Sequence, residues 1–192
     1  MINSLAVNFH GGVMQIINSV LIKIVVPVLI LAGCSAATYE YTSTPVSQKL
    51  GTELFRAGFT PEKTRADFFS RFQLEVENLS DDPIEIDWNR TVYIVNGKNR
   101  GPFVWEGIDP ERVKNKTVPK TTIPPGQSFS RTILPLAKIA MAQLGDHVAG
   151  KDEPGLYGGI LPSGKNSIRL AVTANGKLDQ PILTVVITEE KK

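Results

Sequence analysis

Few side chains in this sequence could carry out chemistry. The 192 residues include one cysteine, Cys34, and two histidines, of which only His147 lies after Cys34. A single thiol excludes a disulfide framework and a thiolate metal site. The scarcity of histidine leaves little material for acid–base catalysis near neutral pH. No serine lies in a Gly-x-Ser-x-Gly elbow. We therefore predict no catalytic residue, no metal site, no cofactor and no enzymatic activity; a hydrolase using His147 is the disfavoured alternative.

Cys34 ends a segment that has the pattern of an export leader. Lys23 precedes an apolar run over residues 24–31, small residues follow, and the sequence turns polar directly after Cys34. A basic residue, a short apolar run and small residues at a boundary are typical of a secretory signal peptide. The run is shorter than the roughly 20 apolar residues that a transmembrane helix needs. We predict a signal peptide over residues 1–33, with Met14 as an alternative start.

Leu31, Ala32, Gly33 and Cys34 resemble the lipobox of bacterial lipoproteins. The resemblance implies cleavage between Gly33 and Cys34 by the lipoprotein signal peptidase. It also implies a thioether-linked diacylglycerol on the Cys34 sulfur and an acyl chain on the new amino group. In that family an aspartate after the cysteine retains the protein in the inner membrane, so Ser35 at this position implies the outer membrane. The membrane is thus an implied partner, bound through acylated Cys34.

An uncleaved transmembrane anchor over residues 13–32 is the alternative to a cleaved leader. It would place Lys23 near the bilayer centre, at a cost of about 2.5–3.5 kcal/mol. Pro27 would also interrupt the anchor helix. The lone cysteine favours the lipoprotein, because lipidation accounts for an odd thiol in an exported protein.

Charge is segregated along the chain, although the formal net charge is only +2. Residues 75–87 hold six acidic residues and no basic one, whereas residues 112–138 hold six basic residues and no acidic one. The first four basic residues of the second segment form a candidate anion-binding patch: Arg112, Lys114, Lys116 and Lys120. Ion pairing between the two segments is the alternative interpretation. A net charge this small favours no nucleic acid as partner.

Alternation of apolar and polar residues predicts the elements that position these groups. It predicts strands at residues 72–76, 84–88, 127–134, 167–174 and 182–188, with Phe129 and Ile133 on one face of the third. Asn96-Gly97 predicts a hairpin between residues 91–95 and 100–105. Trp88 and Trp105 fall within such strands and are predicted to be core residues. The fold class predicted is all-β, an antiparallel immunoglobulin-like β-sandwich of about seven strands over residues 50–192.

Three segments depart from the strand pattern. Residues 34–49 are polar and are predicted to be the lipidated N-terminus and a tether running into a strand, with a first strand through Tyr39 and Tyr41 as the alternative. Residues 145–166 contain six glycines and two prolines and are predicted to form a long glycine-rich loop. Helical spacing predicts one short helix through Leu136, Ile139, Ala140 and Leu144.

The order of these elements resembles bacterial envelope lipoproteins with an immunoglobulin-like sandwich. Residues 78–84, Asn-Leu-Ser-Asp-Asp-Pro-Ile, also resemble the Asn-x-Ser-x-x-Pro-Ile turn of desiccation-type sandwich domains. This resemblance implies a fold and no functional residue.

Together these features predict a lipoprotein anchored in the outer membrane and facing the periplasm. Its predicted role is a non-catalytic interaction or assembly module with a protein partner in the cell envelope. Anchoring would raise the local concentration of the module near that partner. A lipoprotein that binds an anionic lipid or glycan is the alternative function.

Overall fold

The computed structural model describes residues 38–64, 67–142 and 155–192. Thr38–Lys192 forms one compact unit of the chain. This unit is all-β and antiparallel, as predicted, with sixteen strands among its described residues. The strands are β1 Tyr39–Thr44, β2 Gln48–Gly51, β3 Phe55–Lys63, β4 Phe69–Asn78, β5 Ile84–Ile86, β6 Val92–Val95, β7 Lys98–Gly101, β8 Phe103–Val104, β9 Thr121–Ile123, β10 Ser128–Pro135, β11 Ile139–Ala142, β12 Gly155–Gly158, β13 Gly164–Arg169, β14 Val172–Ala174, β15 Lys177–Asp179 and β16 Ile182–Lys191.

The strands form four sheets. Sheet A has the order β1-β16-β13-β6-β7, and sheet B has the order β2-β3-β4-β10-β8. Sheet C contains β15-β14-β5-β9, and sheet D is the hairpin β11-β12. Strand β16 of sheet A comes close to β2 and β3 of sheet B. This layering is that of a sandwich, although its short strands are more numerous than the seven predicted.

The core follows from the alternation in the sequence. In β4, Phe72, Leu74 and Val76 are buried, while the residues between them lie on the opposite face. Buried aliphatic and aromatic side chains of sheets A, B and C form one contiguous cluster. Because a strand presents alternate side chains to opposite faces, this pattern leaves a polar outer face on sheet B.

Two tight hairpins occur where the sequence places Asn-Gly. Asn96 and Gly97 join β6 to β7 with φ of 48° and 79°, and Asn175 and Gly176 join β14 to β15 with φ of 50° and 72°. Positive φ at both central positions is the requirement of a type I′ turn. The first hairpin was predicted, but its second strand is Lys98–Gly101 and not residues 100–105. Strand β8 crosses instead to sheet B, where it pairs with β10.

The Asn78 side chain makes hydrogen bonds within residues 78–84, and we call this segment the Asn78 turn. The Asn78 side chain is fully buried. Its Nδ2 donates to the carbonyl oxygens of Asp82 at 2.8 Å and Ile123 at 2.9 Å. Its Oδ1 accepts from the backbone N–H of Ser80 at 2.9 Å and from the Ser80 hydroxyl at 2.7 Å. All hydrogen-bonding atoms of this amide are therefore satisfied inside the protein.

The short helix was predicted in the wrong place. Leu136–Lys138 is a single 3-10 turn, and Ile139–Ala142 is strand β11, paired with β12, while Leu144 lies outside the described residues. Among the described residues the α-helix is α1, Pro110–Lys114, in which Asp109 caps the N-terminus by accepting from the Glu111 N–H. The prediction failed because these apolar residues, although spaced as in a helix, pair as a strand with another strand that is distant in the sequence.

Strands occupy most of the described part of residues 34–49, which were predicted to form a tether, and residues 34–37 lie outside the described residues. Tyr39–Thr44 pairs along its length with β16, and Gln48–Gly51 pairs with β3. The alternative of a first strand is therefore correct for Tyr39 and Tyr41, and the β-sandwich begins before residue 50. The predicted loop at 145–166 likewise contains strand β12 and the start of β13; its residues 145–154, including His147, lie outside the described residues.

Candidate functional site

The predicted anion-binding patch lies on and after α1. Lys114 Nζ lies 2.6 Å from Glu111 Oε1, and Lys120 Nζ lies 2.7 Å from Glu85 Oε2. The hydrogen bond to Glu85 raises the pKa of Lys120, so its charge is held by that partner. Arg112 and Lys116 make no ion pair within the part of the chain that the structure describes. Half of the predicted patch is thus neutralised locally.

Pairing between the acidic and basic segments occurs at one point among the described residues. Glu85 of the acidic segment meets Lys120 of the basic segment. The other acidic residues that form ion pairs find other partners: Glu77 lies 2.6 Å from Arg56, and Asp87 lies 3.5 Å from Arg90. Mutual pairing therefore explains only a small part of the segregation.

A groove of about 400 Å³ lies on the outer face of sheet B. It crosses β2, β3, β4 and β10 above Gly58, whose missing side chain leaves space beside Glu75. Its charged lining is balanced, with Lys49 and Arg56 against Glu75 and Glu77, and Arg56 is already paired with Glu77. Exposed ion pairs of this kind contribute little to stability, and the balanced lining leaves no net charge for a ligand.

A different arrangement surrounds Arg131 on β10, and we call it the arginine corner: Arg131, Phe129, Trp105 and Trp88. The Arg131 Cζ lies 4.9 Å from the centroid of the Trp105 ring and 5.1 Å from that of Phe129. Trp88 packs beneath them, 4.5 Å from Trp105 and 5.9 Å from Phe129 between ring centroids. The rings form an apolar support for one guanidinium, a cation–π arrangement.

Three elements bring the corner together. Arg131 and Phe129 are alternate residues of β10, so they share one face of the strand. Trp105 directly follows β8, which pairs with the end of β10. Trp88 follows β5 in sheet C, and its indole N–H donates to Thr121 Oγ1 at 2.8 Å. Both tryptophans are buried, as predicted, at 3% and 8% exposure.

The guanidinium of Arg131 has no acidic partner in the described ranges. No carboxylate oxygen there lies within ion-pair distance of it. Burial lowers the pKa of Arg131 from its ordinary value, and no neighbouring charge contributes to that lowering. The side chain is half-buried, so it loses part of its hydration without gaining an ionic partner.

A second groove, of about 380 Å³, adjoins this corner at Phe129. Ile123 and Pro124 supply its apolar lining, and Thr122, Gln127 and Ser128 supply the polar groups. Phe129 therefore lines this groove and also contacts Arg131.

The sequence contained one sign of the arginine corner that our prediction did not use. Phe129 and Ile133 were assigned to one face of their strand, and the same alternation places Arg131 between them on the apolar face. A charged residue on an apolar face is uncommon unless it has a partner or a task. The two tryptophans come from segments distant along the chain, which the sequence could not indicate.

The remaining predicted site residues belong to the leader and its cleavage motif. The cleavage and lipidation residues, Leu31, Ala32, Gly33 and Cys34, lie outside the described residues, so they remain predictions. Within residues 38–64, 67–142 and 155–192, no three His, Cys, Asp or Glu side chains come together as metal ligands. The helices in those ranges are too short or too polar to cross a bilayer.

Comparisons with known proteins are sparse. No family model matches the chain. No curated protein matches it significantly. Among solved structures, a protein from Archaeoglobus fulgidus is similar, with 10% sequence identity and a TM-score of 0.31 over 81% of this chain and 95% of that chain. At this TM-score the similarity does not bear on function.

Proposed function

We propose that this chain is a lipoprotein of the outer membrane, anchored through acylated Cys34 and facing the periplasm. Its β-sandwich is a non-catalytic interaction or assembly module that binds a protein partner of the cell envelope. The observation that carries the proposal is the run Leu31-Ala32-Gly33-Cys34 at the end of an apolar segment that follows Lys23. Only residues 35–37 separate Cys34 from Thr38, where the compact β unit begins.

Lipid chains would hold such a module firmly. Each buried methylene contributes about 0.8 kcal/mol, so one acyl chain binds marginally and two or more bind stably. Three chains would make release from the membrane negligible. A module held in this way needs only modest affinity for its partner, because anchoring raises its effective concentration.

Membrane fractionation of bacteria that produce the full-length chain tests the anchor. The wild type and Ser35→Ala should be recovered with the outer membrane, and Cys34→Ser should accumulate uncleaved and be lost from that fraction. Ser35→Asp should move to the inner membrane, since the lipobox resemblance implies retention by aspartate at that position. Recovery of Cys34→Ser in the outer membrane at the wild-type amount would contradict the proposal.

Cross-linking in the same cells tests the interaction role. One envelope protein should be cross-linked reproducibly to the wild type and lost when Cys34→Ser removes the module from its membrane. A matched control is Ser35→Ala, which should retain the cross-link. If no cross-linked protein depends on anchoring, the interaction role is wrong even where the lipid is present.

The second candidate function is binding of an anionic lipid or glycan at the predicted patch. It is favoured by Arg112 and Lys116, which have no ion pair in the described part of the chain. Neutral substitution of both should then reduce binding to vesicles of anionic phospholipid. Lys177→Gln, at an exposed residue of β15, is the matched control. Equal binding by the patch variant and the control would exclude this candidate.

A further inference from the structure

The arginine corner presents a cation that no carboxylate of the described residues neutralises. Arg56 and Lys120 each lie within 2.7 Å of a carboxylate oxygen. Arg131 is more buried than either, yet no carboxylate pairs with it over residues 38–64, 67–142 and 155–192. A charge removed from water is unfavourable unless an opposite charge or hydrogen bonds replace the lost hydration. The corner therefore has an unmet preference for an anion.

The neighbouring aromatic rings restrict the position of this guanidinium before a ligand binds. Trp105 and Phe129 support it from the apolar side, which limits the rotamers that the side chain can adopt. A planar guanidinium held on aromatic faces can still direct its N–H groups toward an oxyanion. Tryptophan and arginine are also the residue types that dominate binding energy at protein interfaces.

We propose that the arginine corner is a docking site for an acidic polypeptide segment, whose Asp or Glu carboxylate binds the Arg131 guanidinium through paired hydrogen bonds. This inference rests on the proposed interaction role, because it names the surface and the chemistry of the partner. Apolar residues that flank the acidic residue would lie in the adjoining groove against Ile123, Pro124 and Phe129.

The charge of the corner favours a carboxylate over a phosphate group. One guanidinium matches a carboxylate in both charge and fork geometry. In the described part of the chain, burial alone lowers the pKa of Arg131, and no second charged side chain contributes to that shift. A phosphate carries nearly two charges at neutral pH, and Arg131 by itself would match only one of them.

The protein contains its own reporter for this site. Its two tryptophans, Trp88 and Trp105, both lie in the corner. A carboxylate that binds Arg131 changes the field at the Trp105 ring, so intrinsic fluorescence follows binding without a label. The experiment titrates full-length protein in neutral detergent with acetyl-Leu-Glu-Leu-amide, and in parallel with acetyl-Leu-Gln-Leu-amide and inorganic phosphate.

The glutamate peptide should give a saturable fluorescence change with a Kd of about 1–10 mM, typical of a single short contact. Arg131→Met should abolish this change, and Arg131→Lys, which keeps the charge but lacks the fork, should weaken binding about tenfold. Lys177→Gln is the matched control, at an exposed basic residue of β15 outside both the corner and the predicted patch, and should alter the Kd less than about twofold.

Several outcomes would overturn the inference. These are an equal response to the glutamine peptide, an unchanged Kd in Arg131→Met, tighter binding of phosphate than of the glutamate peptide, or no response up to about 20 mM. The titration uses purified protein, so it is independent of the cross-linking test in cells. If the titration gives the expected result but no cross-linked protein depends on anchoring, the envelope role alone would be rejected.

Discussion

The Asn78 turn and the arginine corner both place polar atoms beside the core, but they differ in the partners that those atoms have. At the turn, the buried amide of Asn78 makes four hydrogen bonds, all within the chain. At the corner, Arg131 rests on Trp105 and Phe129, and its charge has no carboxylate partner in the described ranges. The hydrogen bonds of the turn are thus satisfied within the chain, whereas the corner holds a cation for which we propose an anion from a partner.

This difference separates residues that stabilise the fold from residues that are available to a ligand. A satisfied buried polar group stabilises one structure and is costly to remove. A charged group left without a partner contributes little to stability and can be replaced without unfolding the protein. Substitutions in the two regions should therefore have effects of very different size.

The largest effect is expected at Asn78. Asn78→Ala removes the side-chain partner of the Ile123 carbonyl and of the Ser80 N–H, whereas the Asp82 carbonyl keeps the Ser80 hydroxyl as a donor at 2.7 Å. We expect a loss of about 3 kcal/mol in the free energy of unfolding, since buried unsatisfied groups cost about 1–3 kcal/mol each and the chain relaxes in part. Urea denaturation measures this loss. Asn99→Ala, at an exposed asparagine that accepts one bond from Gly101, should cost only about 0.5 kcal/mol.

A smaller effect is expected at Tyr93, a second internally satisfied group. Its hydroxyl donates to Asn166 Oδ1, and Asn166 Nδ2 donates to the carbonyls of Pro162 and Gly164 at 2.8 and 3.0 Å. Tyr93→Phe leaves the buried Asn166 oxygen unpaired, which should cost about 1–2 kcal/mol. A loss no greater than that of Tyr39→Phe, at an exposed ring, would show that this network does not stabilise the fold.

The same residue predicts a pH dependence. Burial raises the pKa of the Tyr93 phenol above its ordinary value. In the unfolded chain the phenol ionises near pH 10, whereas in the folded protein it stays protonated, so the unfolded state gains stability as the pH rises. Urea midpoints measured from pH 8 to 11 should therefore fall above about pH 10. The decrease should be smaller in Tyr93→Phe, and an identical decrease in both proteins would contradict this cause.

The smallest effect is expected at Arg131. Methionine keeps an unbranched apolar side chain over the two rings and removes the partly dehydrated charge. Because the lost cation–π attraction and the regained hydration oppose each other, Arg131→Met should change the free energy of unfolding by only about 0.5 kcal/mol. Urea denaturation beside Asn78→Ala checks this. A loss comparable to that of Asn78→Ala would make Arg131 a structural residue and remove the contrast between the two regions.

The sequence predicted those parts of the fold that alternation controls. Strands β4 and β16 follow directly from buried residues at every second position, and Asn96-Gly97 specifies its turn through local backbone preference. The pairing of β1 with β16, and of β11 with β12, depends on partners distant along the chain. Local patterns therefore assigned Tyr39–Thr44 to a tether and Ile139–Ala142 to a helix.

The candidate site was predictable only in part. The basic segment was visible, but its charge alone did not reveal that Lys114 and Lys120 would be neutralised by Glu111 and Glu85. Alternation in β10 places Arg131 on the apolar face. Trp105 comes beside it through the pairing of β8 with β10 in sheet B, and Trp88, which follows β5 of sheet C, packs against Trp105.

The lipid anchor is the claim on which the proposed role depends most, and the mass of the protein tests it directly. Full-length protein purified from bacterial membranes should begin at Cys34 and carry a diacylglyceryl group on the sulfur and an acyl chain on the amino group. An intact chain that retains residues 1–33 and an unmodified Cys34 thiol would contradict the account.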